Sequence, residues 1–398
     1  MNFKNFLPGL TMYCVLGLSV FGLSAYADAP YINPADDSLH FGSPYNLLYW
    51  TPEQQVAGYR NSDQIFWTRP IYAGDKVYTL PHAKVDLGDV EVKIDGASMT
   101  VDEYFTRQSV AGLLVIKDGK VLYERYGLGN TEQTRWISFS VAKSVVSMLI
   151  GAAIHDGSIK SVHDKVTEYL PSLKGSSYDR SSIANLLQMA SGVRWNEDYS
   201  DPQSDVATAS WKDDELYKFL ENKPLDANPG ERFNYNTAET NLAGILLRNA
   251  TGKNLSTYLS DKIWKPYGME FDGSWNLTED DGGEFGGCCI NATLRDYGRI
   301  GLFALADGRL ADGTEVLPPA WMKISTVPSR AYKGYGYFWW LMENDAFRAD
   351  GIFGQGIYIN RKENVVIALH SARPIAYDPI DKTWEQALYR AITNSISD

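Results

Sequence analysis

The sequence predicts an α+β chain: an antiparallel sheet flanked by helices, with a mostly helical segment inserted between its early and late strands. Three observations carry this. Residues 112–124 form two strand-like runs joined by Asp118-Gly119, a strong short-range hairpin signal. Strand-like runs return only after residue 335, as 335–341, 356–359 and 365–369. The stretch from about 160 to 290 has the character of helices and loops, so the early and late strands meet in one sheet around an insertion.

Composition narrows the class further. The chain has 398 residues, 44% apolar and 22% charged, with 37 Lys and Arg against 49 Asp and Glu, a net charge of −12. Those are values of a globular chain with a large core. The acidic balance excludes nucleic acid and anionic membrane surfaces as primary partners, because nothing would release phosphate counterions.

Residues 1–27 read as a signal peptide. Lys4 precedes an uncharged, mostly apolar run over residues 6–23, and Ala25-Tyr26-Ala27 offers the small-x-small cleavage pattern before Asp28. The competing reading is an uncleaved anchor, since the run is near the minimum spanning length. Export to the bacterial periplasm or medium is the expectation, with a membrane met only in transit. Residues 28–95, rich in Pro, Gly, Asn and aromatics, are expected to be an arm packed over a main domain spanning 96–398.

Within that domain, residues 141–155 are apolar on nearly every face and stop at Asp156-Gly157, the mark of a buried helix. Short helices are expected over 183–189, 240–249 and 294–306, and a last one over 382–396. Of three cysteines, Cys14 lies in the leader, and Cys288 and Cys289 are adjacent. Adjacent cysteines rarely bridge, because the eight-membered ring strains the peptide between them, so the pair is expected to be two small buried hydrophobes. Without CxxC, HExxH, a phosphate loop or GxGxxG, neither metal nor cofactor is expected. No GxSxG elbow occurs either, and of the five histidines only His370, near a strand end, could serve a Ser-His dyad; a core histidine is the commoner reading.

Ser140-Val141-Ala142-Lys143 is the candidate catalytic segment. Positions i and i+3 of a helix share a face about 5–6 Å apart, so Lys143 can lean over the Ser140 hydroxyl. A helix N-terminus there adds N–H groups and a positive dipole end that favour an oxyanion. Burial in an all-apolar helix lowers the lysine pKa, as a general base requires. Standing alone, the tetrapeptide reads equally as an N-cap serine followed by a snorkelling lysine; this helix, however, has no solvated face for the lysine to reach.

Further segments follow in a recognisable order: 112–125 with its Asp-Gly hairpin, 134–144, 186–193, 229–237, Gly286-Gly287-Cys288-Cys289 and 351–356. Together they resemble the serine β-lactamase and penicillin-binding-protein superfamily in its class C β-lactamase-like branch. The pattern is closest to 6-aminohexanoate-dimer hydrolase-like serine hydrolases. The resemblance implies a β-lactamase/transpeptidase-like fold with Ser140, Lys143 and Tyr235 as the catalytic centre. Tyr235-Asn236-Thr237 occupies the place of the Tyr-x-Asn motif, where Thr237 keeps a hydroxyl but loses the amide fork that binds a β-lactam side chain. Ala349-Asp350-Gly351 aligns with Lys-Thr-Gly and lacks its cation, while Gly351 admits close approach. The backbone N–H groups of Ser140 and Ile352 are the implied oxyanion hole. Tyr199 either contacts substrate with Thr237 and Gly351 or packs locally, and Trp339 and Trp340 read as sheet core or cleft wall.

The resulting expectation is an exported serine hydrolase that cleaves small amides or esters through an acyl-enzyme. The alternatives are a β-lactamase or D-Ala-D-Ala peptidase, and a non-catalytic binding protein on the same fold.

Overall fold

A computed structural model of the chain describes residues 29–397; the expected signal peptide and Cys14 lie outside the described residues. Twelve strands occur among them: β1 (Thr68–Ile71), β2 (Glu91–Ile94), β3 (Ala97–Thr100), β4 (Val110–Lys117), β5 (Lys120–Tyr126), β6 (Arg135–Ile137), β7 (Gly273–Asn276), β8 (Ile290–Thr293), β9 (Trp340–Leu341), β10 (Ala346–Gly351), β11 (Gln355–Asn360) and β12 (Val365–Ser371).

Six of them form the central antiparallel sheet, in the order β5-β4-β12-β11-β10-β9. Its seam is the β4–β12 pairing, Val115 opposite Ile367 and Leu113 opposite Leu369, which joins the early and late strands. The β4–β5 hairpin turns at Asp118 and Gly119, with φ of +51° and +73°, the left-handed pair that a two-residue turn demands. Alternation along β4 serves two cores. Leu113 and Val115 face the C-terminal helix Pro379–Ile396 with Trp384 and Leu388, whereas Leu114 and Ile116 face the opposite core with the helices Val141–His155 and Leu294–Leu305. A sheet covered on both faces explains why β4 and β12 are continuous apolar runs. The helix Leu294–Leu305 lies close because a Cβ at Gly298 would stand 2.7 Å from a Leu114 methyl and one at Gly301 2.5 Å from a Val366 methyl.

A second, four-stranded antiparallel sheet, β1-β7-β8-β6, draws β1 from the segment before residue 95. The small β2–β3 hairpin straddles that point. Between β6 and β7 the chain is helical, and the helix Thr237–Thr251 packs on the helix Val141–His155 that follows Ser140. Asn236 caps the former through Glu239 N–H, and Gly252 at φ +67° ends it. In the helix Val141–His155, every residue from Val141 to Ala153 is buried. Each large aliphatic side chain so buried contributes about 1.5–3 kcal/mol.

Two expectations need correction. The strand expected over 335–341 shrinks to Trp340–Leu341. Tyr335, Tyr337, Phe338 and Trp339 are all buried in a bent segment, with Phe338 at φ +57°, whose backbone donates to Ser325 and Leu187 rather than to a neighbouring strand. The aromatic run therefore reflects burial on all sides, not strand alternation. Cys288 and Cys289, expected as free thiols, are joined to each other as a vicinal disulfide. The backbone accommodates the ring because Cys289 takes φ +106°, a conformation that side-chain-bearing residues avoid. Among the described residues, no helix is long and apolar enough to cross a membrane.

Candidate active site

β6 delivers the chain to Ser140. Ser138 locks this entry to β8: its N–H donates to Ile290 O at 2.8 Å, and its hydroxyl accepts from Ile290 N–H at 2.9 Å. Phe139 then adopts φ +45° and Ser140 starts the helix as its N-cap residue, with no hydrogen bond from its side chain to the helix. Phe139 is held between Tyr59 and Phe353, each ring 5.1 Å away. Phe353, at φ +60°, follows Ile352. One aromatic cluster thus braces the backbone on both sides of the cleft, and its Tyr59 comes from the N-terminal segment.

Lys143 lies one turn beyond Ser140. Its Nζ donates to Ser140 Oγ at 2.9 Å and to the Gly287 carbonyl at 2.7 Å. Gly286 and Gly287 permit that approach, since a Cβ on them would stand 2.7 Å from Thr240 O and 2.6 Å from a Thr237 methyl. Lys143 is 1% exposed and, among the described residues, has no carboxylate in contact. Burial pushes its pKa down to about 8, with Glu197 pulling weakly upward.

Tyr235 closes the third side. The Lys143 ammonium stands 5.3 Å from its ring centroid, and Trp340 stacks on it at 5.8 Å. Burial drives the phenol far above its ordinary pKa; the adjacent Ser140 hydroxyl opposes this, and Glu197 and Asp350 reinforce it. The structure therefore brings Ser140, Lys143 and Tyr235 together from two distant stretches of chain.

Other sequence candidates fall around them. Gly351 ends β10, where a Cβ would stand 2.6 Å from Ser138 O, so glycine is required for the strand to pass the segment that leads into Ser140. Ile352 borders the cleft beside Ser140. Tyr199 reaches the cleft and donates to Glu197 at 2.7 Å. The Thr237 hydroxyl donates to Glu197. Trp339 is core against Phe347, and Trp340 is cleft wall. His370 sits in the core between Trp136 and Tyr297; burial lowers its pKa to about 3, and it has no part in the site.

Three residues here received no role from the sequence, although Asp350 lies within the Ala349-Asp350-Gly351 motif. Glu197 gathers Trp195 Nε1, Tyr199 OH and both the N–H (3.0 Å) and hydroxyl of Thr237. It thereby ties the 195–199 loop to the start of the Thr237 helix. Asp350 lies in the cleft between Arg348, at 3.1 Å, and Lys382, which reaches it from the C-terminal helix. Burial pushes the Asp350 carboxyl up, but Lys382 and Arg348 outweigh it and hold the pKa below the usual range. The cation missing at Ala349 is thus met by another some thirty residues later, paired to a carboxylate. Spacing along a sequence cannot announce such a partner.

This fold and this serine-centred cleft define a class, the hydrolases built on the serine β-lactamase and penicillin-binding-protein fold. A β-lactamase family model matches residues 99–390, and the chain belongs to that family. It is 30% identical over 300 residues to the 6-aminohexanoate-dimer hydrolase of Paenarthrobacter ureafaciens, covering 68% of this chain and 74% of that one. Over 102 residues, 23% of this chain and 28% of the other, it is 35% identical to a β-lactamase of Pseudomonas fluorescens. Among solved structures, a candidate 6-aminohexanoate-dimer hydrolase from Bacillus anthracis superposes with a TM-score of 0.78 at 23% identity, covering 86% of this chain and 94% of that one. A family VIII carboxylesterase superposes with a TM-score of 0.56 at 17% identity, over 72% and 93% of the respective chains.

Proposed function

We propose that the protein is an exported serine hydrolase that cleaves small amides or esters through an acyl-enzyme. The observation that carries this reading is the hydrogen bond from a buried, carboxylate-free Lys143 to the Ser140 hydroxyl. With its pKa brought to about 8, about a tenth of Lys143 is neutral at pH 7, and that form can take the serine proton as Ser140 Oγ attacks the carbonyl carbon. Tyr235, whose pKa is raised, stays protonated and serves as the donor to the departing nitrogen or oxygen. It is reprotonated through Lys143. The N–H groups of Ser140 and Ile352 receive the oxyanion, a contribution worth about 3–4 kcal/mol of barrier per donor in such sites. Water then attacks the acyl-enzyme by the same relay, with no metal or cofactor. Tyr199, Thr237 and Gly351 shape the substrate site.

Cell-wall chemistry, as a β-lactamase or D-Ala-D-Ala peptidase, is the second reading, favoured by the Pseudomonas match. Ala349 and Asp350 oppose it, because the motif position whose cation would grip a substrate carboxylate in relatives holds an alanine, with a carboxylate directly beside it. A fluorophosphonate probe tests the main reading: it should label the wild type and fail on Ser140→Ala, and equal labelling of both would sink it. Rapid turnover of a chromogenic cephalosporin would reverse the order of the two readings. Recovery of mature chain beginning at Asp28 from the periplasm or medium tests export.

A further inference from the structure

Two cavities meet at Ser140; both are lined mainly by apolar atoms, and they differ in the charged side chains on their walls. One, of about 710 Å³, is bordered by Tyr235, Trp340 and the charged groups Glu197, Asp198, Asp350 and Lys382. The other, of about 720 Å³, does not reach Tyr235. Its walls include Leu47, Ile65, Phe66, Val206, Trp211 and Phe285, and among its described lining residues only Lys212 is charged. Lys212 is half-exposed and turned toward Glu279 at 3.4 Å. Trp211 and Phe285 pack with ring centroids 4.5 Å apart, which makes the inner wall aromatic.

The direction of the reaction assigns the two. When Ser140 Oγ bonds to the carbonyl carbon, the bond to the leaving nitrogen or oxygen breaks and that atom takes a proton. The donor, Tyr235, borders only the charged cavity, so the leaving group departs there. The acyl group lies on the other side of the carbonyl carbon, toward the second, nearly uncharged cavity. We propose that this second cavity is the acyl subsite and that it selects substrates whose acyl group is an apolar chain of medium length. The N-terminal segment, through residues 44–67, supplies one of its walls and so sets acyl specificity. This rests on the acyl-enzyme reading above and adds the substrate class to it.

Burial of a methylene is worth about 0.8 kcal/mol, or roughly fourfold in kcat/KM for each methylene seated. The test is a series of p-nitrophenyl acetate, butyrate, hexanoate and octanoate, measured on the full chain as wild type and as Ala207→Phe. Ala207 is half-buried on the cavity wall, so a larger side chain can project into the space without displacing core. For the wild type the hexanoate-to-acetate ratio of kcat/KM should exceed tenfold; in Ala207→Phe that ratio should fall at least tenfold. A flat or falling wild-type series, or a ratio untouched by Ala207→Phe, overturns the subsite while Ser140 is still labelled by fluorophosphonate. Absence of both labelling and ester turnover would instead bring down the acyl-enzyme reading, and the subsite with it.

Discussion

Two buried lysines, Lys382 on the wall of the cleft and Lys143 behind Ser140, have opposite surroundings. Lys143 has a hydroxyl and a carbonyl for partners. Lys382 has the carboxylate of Asp350, with Glu385 at 3.4 Å behind it. Glu385 in turn pairs with Arg373 at 2.9 Å. Burial without a counter-ion penalises an ammonium and suits Lys143 to the proton-accepting role proposed for it; burial within an ion network makes Lys382 a tie between the C-terminal helix and β10. The same side chain therefore becomes a base or a brace according to what the fold sets against it.

Exchanging each lysine for methionine should separate the two roles. Lys143→Met is expected to lower kcat by about a thousandfold or more, the scale of a lost general base. Its melting temperature should be unchanged or higher, because no ion pair is lost. Lys382→Met should do the reverse, lowering stability by about 2–3 kcal/mol in denaturant melts, since Asp350 then keeps only Arg348 and Glu385 only Arg373 as buried ion partners. A Lys382 variant that melts like wild type would erase the distinction.

The pH profile sharpens it. Only the neutral Lys143 amine accepts a proton, so kcat/KM should climb with pH through about 8 and level off above. Glu197 pulls that pKa upward, so in Glu197→Gln the midpoint should move to lower pH; a midpoint that stays or rises would assign the titration to another group.

The smallest expected effect concerns a buried acid nearby. Burial raises Glu239 to about 8, opposed by Ser191. Below its unfolded pKa near 4.5 the carboxyl is protonated in both states. Between that value and 8 the native state holds the extra proton, so this contribution to stability is lost as pH rises through 8. Chemical melts at pH 5, 7 and 9 should show Glu239→Gln with a flatter dependence than wild type, and parallel curves would refute it.

Local pattern carried far in this chain. The Asp118-Gly119 turn, the all-apolar Val141–His155 helix and the Gly252 stop were legible because each depends on neighbours within a turn or two. The tyrosine-rich run over 335–341 misled because an aromatic buried by loops and one buried in a sheet have the same composition. The vicinal disulfide hinged on one backbone angle at Cys289, which adjacency alone argued against.

What the sequence alone determined is the Ser140–Lys143 pair: helical hydrogen bonds repeat every 3.6 residues, so three-residue spacing sets the two side chains on one face wherever the helix packs. Only the tertiary structure decided that Glu197 binds the start of the Thr237 helix, that Lys382 answers Asp350, and that segment 44–67 walls one side of the cleft. Those contacts join residues tens to hundreds of positions apart, and long-range packing of both sheets sets them, not any repeat along the chain.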